Sequence, residues 1–257
     1  MENATKALLI SAGIMVAIMV LTLGLISYNQ ISSYYQTQHS EVMKEQIVEF
    51  NNVYENYNRK NVRGSDLLSL MNRIIDYNQR QSYEIGTGYQ RIGVTITIGN
   101  SHVNEFKYNN TDESIFKELT SNGEITNKTG KDKINDKKLT AVSNVEQDMI
   151  KYAKNNGLDV TGTQLQKLAS GISNIMTTST DELSIQKRDT LLQNIFGRQI
   201  ENNHLETIKY ITCQYYQYMQ FKRAYFNCTE VKYDDKTGRI KEMNYEISLK
   251  NGSVVFN

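Results

Sequence analysis

The side chains that most often carry chemistry are few and scattered in this sequence. None of the three histidines, His39, His102 and His204, stands with a carboxylate or a second histidine at the spacing of a metal-binding motif such as H-E-x-x-H. The glycines within residues 86–93 precede a predicted strand, whereas a dinucleotide-binding loop follows a strand and opens a helix. A P-loop, a nucleophile elbow and a C-x-x-C pair are missing from the sequence. We therefore predict that the protein is not an enzyme, with no catalytic residue, no cofactor-binding residue and no metal ligand.

The two cysteines, Cys213 and Cys228, are too few for a scaffold held by several disulfides or for a zinc domain built on cysteines. If the domain is exported to an oxidising compartment, a disulfide between them is one alternative. A helix that continues to about residue 226 would place Cys213 roughly 20 Å from the helix end. A disulfide needs Cα atoms within about 7 Å of each other, so two thiols are the other alternative. The sequence leaves both open.

The charge of the chain excludes one class of partner. Its 257 residues carry 29 Lys and Arg against 28 Asp and Glu, which leaves a net charge of +1. A protein that binds nucleic acid normally has a clear basic excess. We predict no nucleic-acid partner. The hydrophobic fraction of 39% is sufficient for a packed core, and the chain length allows one large domain or two small ones.

An uncharged stretch near the N-terminus predicts a membrane anchor. Residues 7–26 contain no charged side chain, and a helix of this length spans about 30 Å, the thickness of the hydrocarbon core. A buried core helix normally keeps a polar face, and a cleaved signal peptide has a shorter apolar run. We predict a short tail at 1–6 and an uncleaved transmembrane helix at 7–27 in a lipid bilayer. Lys6 before the span and Lys44 far behind it favour a cytoplasmic N-terminus and an extracytoplasmic C-terminal domain.

Residues 28–63 predict a juxtamembrane stalk helix that runs to about residue 60, because neither proline nor glycine interrupts them. One side of this helix carries apolar and aromatic residues at spacings of four and three, which we call the packing stripe: Met43, Ile47, Phe50, Tyr54 and Tyr57. The stripe packs either on the protein's own domain or on a second copy. Two heptads are too few to predict a coiled coil, so we favour packing within the chain.

Residues 64–257 predict a mixed domain. Gly64 is expected to end the stalk helix, and Ile92, Val94, Ile96 and Ile98 alternate with small or polar residues, as in a half-buried strand. The remaining segments are predicted as a loop at Gly86 and Gly88, a return strand at 102–108, a short helix at 112–119, a solvated loop at 121–138, helices at 145–155, 163–176, 181–196 and 204–226, and a β-meander at 229–257 with an Asn251-Gly252 turn. Because the strands fall into two blocks separated by helices, the predicted fold class is α+β.

An N-terminal acid, an apolar span and an unbroken helix that leads into an α+β head resemble type IV pilins and pseudopilins. The resemblance is carried by Glu2 and residues 7–26, and it continues to about residue 60, a quarter of the chain. In that family the apolar helix packs in the filament core, and an N-terminal glutamate helps to register the subunits. Here Glu2 lies before the span and not inside its start. The resemblance implies a role in an assembly.

Taken together, these features predict a single-pass, membrane-anchored structural or interaction protein of a bacterial cell envelope, for example a pilin-like subunit of a surface or secretion assembly. Its partners would be further copies or other envelope proteins. Two alternatives stay open. One is an anchored domain that senses a ligand or binds a glycan through exposed tyrosines at 215–225, and the other is an unrecognised envelope enzyme. A cleft with two buried carboxylates would favour the enzyme.

Overall fold

The computed structural model describes residues 2–80, 90–109, 115–116, 122–129 and 133–257, with the backbone alone at 35–40. The chain divides into two compact units, one that ends at Val53 and one at Tyr54–Asn257. The predicted loop at Gly86 and Gly88 lies outside the described residues, and so does most of the predicted helix at 112–119.

The first unit is formed by helix α1, Glu2–Glu55, whose last two residues belong to the second unit. Within it lies the candidate membrane span Glu2–Tyr34, whose most apolar 18-residue window has a mean hydropathy of 2.6 and no buried residue. By length and composition this segment is long and apolar enough to cross a membrane. The prediction of a long apolar N-terminal helix is therefore confirmed.

Helix α1 ends at Glu55, five residues before the expected end of the stalk helix. The reason is tertiary, because the backbone that follows is hydrogen-bonded to two distant strands. The carbonyl of Tyr57 accepts from the Tyr245 hydroxyl at 3.2 Å, and the N–H of Asn61 donates to the Asn227 side chain at 3.0 Å. These bonds hold the segment in an irregular conformation in which Asn61 has a φ of 56°.

The second unit contains a mixed sheet and, on its described residues, a set of helices. The strands are β1 Val62–Arg63, β2 Gly93–Thr97, β3 Glu124–Thr126, β4 Tyr225–Tyr233 and β5 Ile240–Ile247, in the order β1-β4-β5-β2-β3. Strands β2 and β5 run parallel, and the other neighbours in this order run antiparallel. Strands β6 Leu249–Lys250 and β7 Ser253–Val254 form a separate hairpin, whose turn residues Asn251 and Gly252 both have positive φ, as a type I′ turn requires.

The remaining helices are α2 Gly64–Arg80, α3 Lys137–Ser143, α4 Val145–Asn155, α5 Gly162–Ser170, α6 Ile172–Ile175, α7 Glu182–Phe196 and α8 Leu205–Arg223, with 3-10 turns at Val103–Phe106 and Asn202–His204. Helix α8 packs against α2, α4, α5 and α6. Its start follows the sequence pattern, and α2 approaches its last turn closely. A Cβ at Gly64 would lie 1.7 Å from the carbonyl oxygen of Phe221, so only glycine fits there.

The α+β class is confirmed, and the structure corrects several segments. Helix α8 ends at Arg223, and the two aromatic residues expected at its end, Tyr225 and Phe226, begin β4 because they pair with β1. The predicted return strand at 102–108 is a 3-10 turn, and β2 instead pairs with β3 and β5. The predicted loop at 121–138 contains β3 and the start of α3.

The helix at 163–176 is divided into α5 and α6 at Gly171. In contrast, α4 coincides with the predicted helix, and the carboxylate of Asp181 accepts from the backbone N–H of Ser184 as the N-cap of α7.

A group of polar residues with two buried asparagines, which we call the asparagine cluster, connects α2, β2, β3 and α3. It consists of Asn78, Asn127 and Asp136. Both asparagine side chains donate to the carbonyl of Ile92 and to Asp136 Oδ1 at 2.8–3.0 Å. In return, Asn78 Oδ1 accepts from the N–H of Ile92, and Asn127 Oδ1 accepts from the N–H of Val94. Each asparagine therefore makes hydrogen bonds through both ends of its amide, and both residues are fully buried.

Candidate functional site

The sheet has one apolar and one polar face, because side chains alternate along each strand. Val94, Ile96, Met243 and Tyr245 lie in the core, each at most 1% exposed. The side chains between them form an open cleft of about 590 Å³ on the opposite face. We call this surface the polar sheet face, and its lining includes Thr95, Thr97, Asn122, Glu124, Thr126, Lys128, Thr229, Glu230, Glu242, Asn244 and Glu246. Lys232 of β4 adjoins it through ion pairs to two of these glutamates.

Strand register arranges the polar sheet face in rows. The first row places Glu124 and Glu246 on either side of Thr97. The second row places Thr126 and Asn244 on either side of Thr95, and the two threonine hydroxyls are 3.0 Å apart. In the third row, Glu242 stands opposite Gly93 on one side and Lys232 on the other. The face therefore carries two carboxylates in the first row, Glu230 beside Asn244 in the second row, and lysines that pair with Glu242 in the third row.

Gly93 explains how a lysine outside the strands reaches the third row. Lys128 follows β3, whereas its ion-pair partner Glu242 lies on β5, on the far side of β2; their charged atoms are 2.8 Å apart. A Cβ at Gly93 would lie 3.3 Å from Cγ of Lys128, which is tighter than an ordinary van der Waals contact. The missing side chain thus leaves the space through which the lysine crosses β2.

Glu242 is the centre of a charged network. Its Oε1 accepts from Lys128, from Lys232 at 3.3 Å and from the amide of Asn244 at 3.0 Å. The same Asn244 amide donates to Glu230 at 3.0 Å, and Lys232 also bonds Glu230 at 3.1 Å. Asn244 Oδ1 is buried and finds no hydrogen-bond partner in the described part of the chain.

The electrostatics of this network favour ionised groups. Burial alone raises the pKa of Glu242, but the hydrogen bonds and charge of Lys128, together with the bonds from Asn244 and Lys232, outweigh burial and hold the pKa below its ordinary value. Hydrogen bonds to Glu230 and Glu242 raise the pKa of Lys232. At neutral pH Glu242 is therefore a carboxylate and Lys232 an ammonium group. A general acid or a nucleophilic lysine would need the opposite shifts.

The two carboxylates of this network, Glu242 and Glu230, differ in burial. The Glu242 side chain is 12% exposed, whereas that of Glu230 is 50% exposed. The polar sheet face is thus not the cleft with two buried carboxylates that would favour an enzyme. Within the described residues, no group of three or more His, Cys, Asp or Glu side chains is placed to hold a metal ion.

The structure distributes the three histidines over separate elements. The side chain of His39 lies outside the described atoms, and His204 directly precedes α8. His102 Nδ1 lies 2.6 Å from Glu105 Oε1, a pair at a spacing of three residues that the sequence analysis missed. The other oxygen of Glu105 accepts from the N–H of Val254, so this pair attaches the C-terminal hairpin to the 3-10 turn.

The two cysteines lie on different elements, and the structure holds both as thiols. Cys213 is buried in α8 with its Sγ 3.5 Å from Sδ of Met176. Cys228 is half-buried in β4, where its Sγ lies 3.8 Å from the carbonyl oxygen of Glu230. Burial raises the pKa of the Cys228 thiol, which makes it a weaker nucleophile at neutral pH.

The packing stripe is divided between the two units. In the first unit Met43 is 49% exposed, while Ile47 and Phe50 are half-buried. In the second unit Tyr54 is 3% exposed and Tyr57 is half-buried. Burial raises the pKa of Tyr54 to about 12. Tyr54 therefore belongs to the core of the second unit. For Met43, Ile47 and Phe50, packing within the chain stays a prediction.

The tyrosines of α8 that could have formed a glycan-binding surface lie mainly in the core. Tyr215 and Tyr218 are buried, and burial raises the pKa of both. The hydroxyl of Tyr215 donates to Glu146 at 3.0 Å. Tyr216 is half-buried and packs edge-on against Tyr108. These contacts are typical of core packing of aromatic side chains.

The fold and the site define an α+β domain that presents an open, polar sheet face and follows a helix long and apolar enough to cross a membrane. Comparison of the chain with family models, curated proteins and solved structures finds no match.

Proposed function

We propose that this protein is a single-pass, membrane-anchored interaction protein of the bacterial cell envelope, whose extracytoplasmic domain docks a partner on the polar sheet face. A pilin-like subunit is one form of this function. The observation that carries the proposal is the polar sheet face itself. It is open and built from strand residues, and its charged groups are held in the states that suit recognition rather than proton transfer.

The anchor follows from the apolar surface of α1. The large apolar side chains along residues 7–26 are exposed, and Leu9 and Met15, for example, are each 73% exposed. Transfer of a large apolar side chain from water to an apolar environment stabilises by about 1.5–3 kcal/mol. A lipid bilayer removes all of these side chains from water at once, and it matches the length of the apolar segment.

Membrane topology is tested with reporters fused after Asn257. We expect a reporter that is active only outside the cytoplasm to be active in intact cells and a cytoplasmic reporter to be silent, because Lys6 favours retention of the N-terminus inside. The reverse pattern would refute the proposed orientation. Carbonate extraction of the membranes separates an integral protein from a peripheral one.

Docking on the polar sheet face is tested by photo-crosslinking in cells. A photoreactive residue at Thr97, in the first row of the face, is expected to give adducts of defined mass. The same residue at Lys167, which is exposed on α5, serves as the matched control. Adducts of twice the subunit mass would indicate self-assembly, as in a pilin-like subunit, and heavier or lighter adducts would indicate another envelope protein. Equal yields at both positions would refute docking on this face.

A further inference from the structure

The charge on the polar sheet face differs in sign from that of the whole chain. Among the described residues the face carries four carboxylates, Glu124, Glu230, Glu242 and Glu246, and two ammonium groups, Lys128 and Lys232. Four negative and two positive charges leave a net charge of −2, whereas the chain as a whole carries +1. The negative excess is therefore a property of this surface and not of the composition.

The face already binds ammonium groups, namely those of its own two lysines. Lys128 and Lys232 lie 2.8 and 3.3 Å from Glu242, and Lys232 also lies 3.1 Å from Glu230. Carboxylates on the neighbouring strands β4 and β5 thus provide a local template for a primary ammonium group. Glu246 repeats this position two rows from Glu242, next to Thr97, and it is exposed.

We propose that the polar sheet face binds a basic, extended polypeptide segment of a partner, with a lysine ammonium group of that segment seated between Glu246 and Glu230. This inference rests on the proposed function, which requires only that some partner docks on this face. Charge complementarity selects the segment: carboxylate oxygens are in excess on the face, and an ammonium group supplies three donors and one positive charge.

The test uses the full chain in a poly(oxyethylene) detergent, which has no sugar headgroup that could occupy a polar cleft. The probe is a fluorescein-labelled peptide of alternating glycine and lysine with three lysines, and the control probe carries acetyl-lysine instead. Binding is followed by fluorescence anisotropy at low and high salt. We expect the charged peptide to bind at least about tenfold more tightly than the acetylated one. We also expect binding to weaken in 1 M salt, where the screening length falls to about 3 Å.

Two variants locate the site. Glu246→Gln should weaken binding about two- to fivefold, the effect of removing one exposed ion pair, and Glu230→Gln combined with it should weaken binding further. Glu206→Gln removes an exposed carboxylate of α8, whose side chain is 84% exposed, and should leave binding unchanged. Circular dichroism of each variant verifies folding.

Several outcomes would overturn the inference. One is equal binding of the charged and acetylated peptides, and another is unchanged binding by Glu246→Gln. A third is binding of Ca²⁺ or of a neutral oligosaccharide that is lost in Glu246→Gln while the lysine peptide does not bind. If the Thr97 crosslink captures a partner but the lysine peptide does not bind, the proposed function stands and this inference fails.

Discussion

Two polar networks flank strand β2, and they differ in what their hydrogen bonds hold together. The asparagine cluster joins α2, β3 and α3 to the backbone of Ile92 and Val94, and both its asparagines use both ends of their amides. The polar sheet face bonds side chains of neighbouring strands to one another on an open surface, and Asn244 Oδ1 has no hydrogen-bond partner among the described residues.

The difference shows how a network's role follows from its partners. A buried side chain that bonds to backbone groups of another element stabilises the fold. If it is lost, those backbone groups have no hydrogen-bond partner, because water does not reach them. A side chain that bonds to other side chains on an open face can exchange them for a ligand at little cost. We therefore expect the asparagine cluster to contribute to stability, and the contrast supports the proposal that the polar sheet face serves recognition.

The largest effect is expected from Asn127→Ala. This change leaves the buried N–H of Val94 without its acceptor and removes one donor from Asp136. Each unsatisfied buried group costs about 1–3 kcal/mol, so we expect the free energy of unfolding to fall by about 3 kcal/mol. Urea unfolding followed by tyrosine fluorescence measures it. A loss similar to that of an exposed substitution such as Asn156→Ala would contradict the structural role of the cluster.

A smaller effect is expected from Gly93→Val, which places a side chain where Lys128 crosses β2. We expect a loss of about 1–2 kcal/mol in the free energy of unfolding, because the crowded lysine must leave Glu242. Lys128→Met removes the ion pair without crowding the strand and serves as the reference. If Gly93→Val is as stable as the wild type, the lysine has another path to Glu242.

The pH dependence of the free energy of unfolding reports the contribution of Glu242. Because its pKa is lower in the folded state than in the unfolded chain, its contribution is present above the unfolded pKa, near 4.5, and is lost as the pH falls through the folded value. We expect the wild type to lose more unfolding free energy between about pH 5 and pH 3 than Glu242→Gln, by up to about 1 kcal/mol. Parallel pH profiles of the two proteins would show that the network contributes nothing to stability.

The smallest effect on folding is expected from Glu246→Gln. Glu246 is exposed, so its substitution should change the free energy of unfolding by less than about 0.5 kcal/mol. The same variant should weaken binding of the lysine peptide. A large loss of stability would show that Glu246 stabilises the fold, as the asparagine cluster is expected to do. The contrast between the two networks would then be wrong.

Local patterns predicted a substantial part of this fold. The uncharged residues 7–26, the alternation at 92–98 and the periodicity at 145–155 each correspond to a helix or strand of the structure. Local signals were misleading where a distant partner competes for the backbone. Tyr225 and Phe226 continue the aromatic pattern of α8, yet pairing with β1 makes them strand residues. Residues 121–138 are polar enough for a loop, yet β3 pairs with β2 there.

The sequence by itself determined the apolar helix, the class of the fold and the scarcity of catalytic motifs, because each depends on composition or on spacing within one segment. Only the tertiary structure decided the polar sheet face. Thr95, Thr126 and Asn244 come from strands that are far apart in the chain, and they become neighbours through the register of β3, β2 and β5. Register depends on the packing of the opposite, apolar face, and a shift of one residue would turn these polar side chains into the core.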